Sequence, residues 1–164
     1  MSAYSRAAFD DLATGGWWTL YRFALVLTSS PTDAEDLVQE ALMRLAMQWQ
    51  RSDIQNPEAY ARKALFNLHT SRWRRLRREV LTANDIPERA AAPPESTLEI
   101  WAELQRLPLR QLAAVFLRYY YDMPEIEVAA VMKCSVGTVK SQTSRGLDKL
   151  RQVVAASPAN AGRE

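Results

Sequence analysis

The apolar and polar positions of this chain alternate with a helical period along most of its length, and no stretch follows the two-residue period of a strand. Ser5 to Ala13 predicts a short helix closed by Gly15-Gly16. Trp17 to Leu27 predicts another, with Trp17, Leu20, Tyr21, Ala24 and Leu27 on one face, and Thr28-Ser29-Ser30-Pro31 reads as a turn. Thr32 with Glu35 three residues on has the form of a capping box, so the next helix is expected to begin there. Ala34, Leu37, Val38, Ala41, Leu42 and Leu45 make its apolar stripe, while Asp33, Asp36, Gln39, Glu40 and Arg44 lie mostly off it. The loop Arg51–Gln55 follows. Asn56-Pro57 supplies a cap and a proline at the first helical position. That helix is expected to run to about Arg78, with Ala61, Ala64, Leu65, Leu68 and Leu76 facing inward.

From Thr82 to Ser96 the periodicity stops. Ala90-Ala91-Ala92-Pro93-Pro94 has a linker composition, because proline breaks helix and stiffens the chain. Beyond it the pattern resumes in shorter pieces. Thr97 to Arg106 carries Leu98, Trp101 and Leu104, and Leu107-Pro108 ends it. Leu109 to Tyr120 presents Leu112, Val115, Phe116 and Tyr119, and Pro124 to Met132 presents Ile126, Val128, Ala129 and Val131. Lys133-Cys134 makes a tight turn, and Ser135 caps a helix from Val136 to about Val154. The expected fold class is all-α: a helical domain over residues 1–81, a flexible linker over 82–96, a second helical domain over 97–155 and a disordered tail over 156–164.

Composition narrows the function more by exclusion than by assertion. With 164 residues, 48% of them apolar, the chain can build a packed core in two small domains. A net charge of +2 says nothing about nucleic acid by itself. Cys134 is the only cysteine, so an intrachain disulfide is impossible. His69 is the only histidine, which removes a histidine-rich metal site. The N-terminus lacks the pattern of a secretory signal, and Trp17–Leu27 is too short to span a bilayer. A cytoplasmic protein with no membrane contact is expected. There is no glycine-rich phosphate loop and no cluster of metal ligands, so no catalytic residue, metal or cofactor is expected, and the chain reads as a non-enzyme.

Three constellations carry chemistry. Pro124–Arg151 has the layout of a helix-turn-helix, in which the first helix braces and the second offers its N-terminal half to the major groove. Val136 and Val139 can pack inward, and Gly137 permits close backbone approach. Thr138 and the N–H groups at the helix start suit a phosphate. Lys140, Ser141, Ser144 and Arg145 share the outward face, and such donors suit base edges and phosphates. The second constellation is Arg72-Trp73-Arg74-Arg75-Leu76-Arg77-Arg78, five arginines in seven residues. Cations at a helix C-terminus also suit the macrodipole, but this density suits phosphate neutralisation. Tyr60, Phe66 and Asn67 lie upstream on the same helix, types that can stack on and hydrogen-bond to an unpaired base. Taken singly, Phe66 and Tyr60 read as core residues before DNA contacts. The third is the acidic face Asp33, Asp36, Glu40, which with Gln39 and Arg44 could meet a charged partner or simply water.

In their order along the chain the three constellations resemble a known family. Asp33-Ala34-Glu35-Asp36-Leu37-Val38-Gln39-Glu40-Ala41 resembles region 2.2 of bacterial sigma factors. Asn56–Ala64, with Asn67 and the arginine cluster, resembles regions 2.3 and 2.4. Leu117–Tyr120 and Cys134–Leu147 resemble region 4. Over roughly Phe9–Val153 the chain resembles an extracytoplasmic-function (group 4) sigma factor, nearest the actinobacterial SigE-type branch. The resemblance implies that Asp36, Gln39 and Glu40 dock on the β′ clamp helices of core RNA polymerase. It implies that Asn67, with Tyr60, Arg72 and Arg75, helps to melt the −10 element and hold a flipped base. It implies that Thr138, Lys140, Ser141, Ser144 and Arg145 meet the −35 element. The implied partners are core RNA polymerase, through the β′ clamp helices and the β flap, promoter DNA, and an anti-sigma factor. Two positions depart from the family pattern: Ser71, where many relatives carry Asp, and Lys133, where many carry Gly. The residues also admit a stand-alone LuxR-like regulator that binds duplex DNA as a dimer, although this leaves the first half of the chain unexplained.

Overall fold

The computed structural model describes residues 10–12, 14–49, 51–52, 54–81 and 98–156. Most of the expected first helix, the linker over 82–96 and the tail from Ser157 lie outside the described residues. The chain divides into two compact units, Met1–Ala91 and Ala92–Glu164. All the regular structure among the described residues is helical.

Among the described residues, the first unit packs α1 (Trp17–Thr28), α2 (Pro31–Trp49) and α3 (Pro57–Leu81) against one another. Leu20, Phe23, Ala24, Val26 and Leu27 of α1 are buried, with Ala34, Leu37, Val38, Ala41 and Leu45 of α2. Ala61, Leu65, Phe66 and Leu68 of α3 complete this core. The connection from α1 to α2 is tighter than expected. Ser29 turns back in the left-handed region, φ 59°, and its N–H donates to Leu25 O at 2.8 Å. Ser30, not Thr32, then caps α2, since its Oγ accepts from the Asp33 N–H at 3.3 Å. The physical reason is Pro31, whose ring presets the first helical φ and lacks the N–H that the first turn leaves unpaired. The start of α3 follows the sequence reading, with Asn56 Oδ1 accepting from the Ala59 N–H at 2.9 Å. Leu76 does not face inward as expected: it is 46% exposed, because the apolar stripe of α3 ends near Leu68.

The second unit holds α4 (Leu98–Arg106), α5 (Leu109–Tyr119), α6 (Glu125–Met132) and α7 (Val136–Ala156). Every residue from Gln111 to Leu117 is buried, and α5 packs against α6 and α7, while α4 packs against α7 and sets Trp101 edge-on to Phe116 of α5. Tyr119 and Ile126, expected in the core, are 63% and 70% exposed. The buried run on α5 stops at Leu117, and Val128, Ala129, Val131 and Met132 already fill the inner side of α6. Arg118 donates to Met123 O and ties the end of α5 to the loop before α6. Helix α7 lies close against α5 at Gly146, where an added Cβ would lie 2.7 Å from Val115 Cγ2. Glycine is what permits that approach.

Candidate nucleic-acid interface

The turn between α6 and α7 is built from local chemistry. Lys133 ends α6 in the left-handed region, φ 51° and ψ 53°, with its N–H donating to Ala129 O. Ser135 Oγ accepts from the Thr138 N–H at 3.1 Å, and the Ser135 and Thr138 hydroxyls pair at 2.9 Å. The Thr138 N–H is thus used by the cap of its own helix. Val139 is fully buried and holds the first turns of α7 on the unit. Lys140, Ser141, Ser144 and Arg145 are all exposed. At 100° per residue, Ser141, Ser144 and Arg145 occupy the middle of that face, and Thr138 and Lys140 its two edges. Gly137 lies on the same side, and a Cβ there would meet only Ser135 Oγ at 3.8 Å. The fold itself does not need a glycine at that position, in contrast to Gly146. The sequence reading missed Glu125, whose Oε2 stands 3.6 Å from Lys140 Nζ.

In the first unit the expected residues separate. Tyr60 and Asn67, seven residues apart, share one side of α3, and both are partly exposed. Arg75 falls within about 60° of that side by the same geometry. The exposed Arg74, Arg78 and Ser71 belong to it as well. Phe66 is buried and belongs to the core. Arg72 lies about 120° away from Tyr60 on the helical wheel. Its Nη2 donates to Glu40 Oε2, across from α3 to α2. The other Glu40 oxygen accepts from Arg44 Nη2 at 2.8 Å. Burial pushes the Glu40 carboxyl up, but the hydrogen bonds and charges of Arg72 and Arg44 outweigh it and hold the group below its usual value. The resemblance had given Glu40 and Arg72 to different partners.

Asp36 and Gln39 are exposed on α2. Met43 and Met47, 64% and 55% exposed, continue their side of the helix over the next two turns. Neither was singled out from sequence, although both fall outside the apolar stripe. Among the described residues no group of three or more His, Cys, Asp or Glu is placed to hold a metal ion, and no helix is long and apolar enough to cross a membrane.

Comparison with known proteins follows the same division. Residues 19–79 match the family model of sigma-70 region 2, and residues 97–150 match that of sigma-70 region 4. The chain is 34% identical over 145 residues to the RNA polymerase sigma-E factor of Streptomyces coelicolor, covering 84% of this chain and 80% of that protein. It is 31% identical over 163 residues to the ECF RNA polymerase sigma factor SigL of Mycobacterium tuberculosis, covering 92% of this chain and 88% of that one. Among solved structures it resembles the sigma factor RpoE of Bartonella quintana in complex with the anti-sigma factor NepR. The TM-score is 0.75 at 26% identity, covering 85% of this chain and 91% of that one.

Proposed function

The chain belongs to the extracytoplasmic-function sigma factors of the sigma-70 family, and on that premise we propose which of its residues meet polymerase and which meet promoter DNA. As a sigma factor it recognises promoters for RNA polymerase, with region 2 in the first unit and region 4 in the second. A stand-alone duplex-binding regulator accounts only for the second unit and leaves the region 2 match over residues 19–79 without a role.

Core polymerase, through the β′ clamp helices, is met by Asp36 and Gln39, with Met43 and Met47 extending the contact. Glu40 borders this face, its carboxylate turned toward Arg72. The β flap is met by the second unit. Tyr60 and Asn67 receive an unpaired base of the −10 element, and Arg75 with its neighbours neutralises the strand's phosphates. Arg72 stands beside them at the α2–α3 seam. Ser141, Ser144 and Arg145 read base edges of the −35 element, while Lys140 and Thr138 lie where the backbone would pass. The protein acts as a cytoplasmic, non-enzymatic subunit without a cofactor. An anti-sigma factor, the kind of partner present in the Bartonella quintana complex, is proposed here too.

The observation that carries this reading is the bare outward face of α7, with Ser141, Ser144 and Arg145 exposed around a buried Val139. The test adds the purified chain to core polymerase and scores transcripts across a genomic promoter library. Promoter-specific initiation is expected. Transcripts no different from those of core polymerase alone would sink the reading.

A further inference from the structure

Two glycines of α7 stand on opposite sides of the helix and meet different surroundings. At 100° per residue Gly146 lies about 180° from Gly137, on the side of the buried Val139. Packing requires Gly146, since an added Cβ would lie 2.7 Å from Val115 Cγ2 of α5. Gly137 has no such requirement. A Cβ there would meet only Ser135 Oγ, at an ordinary contact distance of 3.8 Å. Its φ is not positive, so the backbone conformation does not call for glycine either. Inside a helix glycine destabilises relative to alanine, because it has more backbone freedom to lose on folding. Among the described residues nothing in the unit asks for this unfavourable choice.

The neighbours of Gly137 on the helix surface indicate what does. Ser144 and Ser141 fall within about 20° and 40° of it, so the three make one row along the exposed side. A serine hydroxyl reaches a partner's polar edge only where the helix backbone itself comes close. Lys140 and Arg145, to either side at about 60° and 80°, have long side chains that span a wider gap.

We propose that Gly137 is a clearance residue of the −35 interface: with no side chain there, the first turns of α7 seat deeply enough in the major groove for Ser141 and Ser144 to reach base edges. This rests on the sigma-factor reading, in which α7 is the recognition helix. A Cβ at position 137, one turn before Ser141 in the same row, holds the backbone off the bases. Long, flexible cations on phosphates tolerate that displacement, and short hydroxyls on base edges do not. Gly137 thus sets how deeply the helix reads, although it has no side chain to offer the DNA.

The test uses the full chain bound to saturating core RNA polymerase. The probes are a promoter fragment recovered by selection with the wild-type holoenzyme and the same fragment with its −35 hexamer scrambled. Affinity for both is measured for wild type, Gly137→Ala and Gly137→Val, and the melting temperature is measured for wild type and Gly137→Ala. Gly137→Ala is expected to melt at or above the wild-type temperature. On the selected fragment it should bind about tenfold more weakly, the scale of one mismatched base pair, and Gly137→Val more weakly still. On the scrambled fragment, where the α7 face meets phosphates only, both should stay within about twofold of wild type. Undiminished binding of Gly137→Ala to the selected fragment would overturn the proposal, as would an equal loss on the scrambled one or a lowered melting temperature. A wild-type holoenzyme that selects no fragment would remove the sigma-factor reading itself, a result distinct from these.

Discussion

The two units present their cations differently. On α7 the outward residues form one exposed face, and among the described residues a cross-helix partner, Glu125, lies 3.6 Å from Lys140 at its edge. On α3 the arginines divide between an exposed side and the α2 seam, where Arg72 is hydrogen-bonded to Glu40. A basic residue at the core register of a helix is first a packing element, and it can serve a ligand only through what holds it. A basic residue opposite the core is available directly.

The largest effect expected to break this comparison is on the seam. Leu65→Ala, which opens a cavity where α3 meets its neighbours, should destabilise the protein by about 2–5 kcal/mol in denaturant unfolding. On the open face, Arg145→Ala should lose about 1–3 kcal/mol of discrimination at one −35 base pair without affecting stability. Lys140→Ala should instead weaken all sequences alike and lower the salt slope of duplex binding by about 0.9. Equal loss on scrambled sites for both variants would erase the division between centre and edge. At the turn, Lys133→Gly should raise stability by about 1 kcal/mol, since φ 51° burdens a side chain that glycine lacks. A lower melting temperature would mean that the lysine side chain makes up for its backbone.

The smallest effect is acid sensitivity at Glu40. Its folded carboxyl titrates below the ordinary value of 4.5, because Arg72 and Arg44 outweigh the burial that raises it. The ion pair's contribution is therefore present above about pH 4.5 and lost as pH falls through the lowered value. For partly exposed groups it amounts to about 0–1 kcal/mol. The stability difference between wild type and Glu40→Gln should shrink below that pH. A difference that stays constant on acidification would show that the pair contributes nothing through its charge.

Local signals carried much of this from sequence. The helices, the Asn56 and Ser135 caps and the exposed face of α7 depend on neighbours in the chain and could be read directly. The cap of α2 was placed two residues late because Thr32-x-x-Glu35 looks like a capping box even when Pro31 has already begun the helix. Tyr119, Ile126 and Leu76 were assigned inward because periodicity states which side a residue occupies but not how far the neighbouring helix extends. The family resemblance gives Arg72 to the −10 element. Continuing Ala61, Leu65 and Leu68 by one step would have placed it in the seam, but its meeting with Glu40 depends on how α2 and α3 pack, which no local signal records.

The close approach at Gly146 divides the labour along α7. Val139 and Gly146 hold the helix to its unit, while Ser141, whose Oγ donates back to Thr138 O within the helix, Ser144 and Arg145 are exposed. Substitutions at such exposed positions usually change stability by no more than about 0.5 kcal/mol. On the proposed reading, drift at these three positions would change promoter preference at nearly constant stability, and a duplicated copy could acquire a separate regulon without refolding the module that reads it.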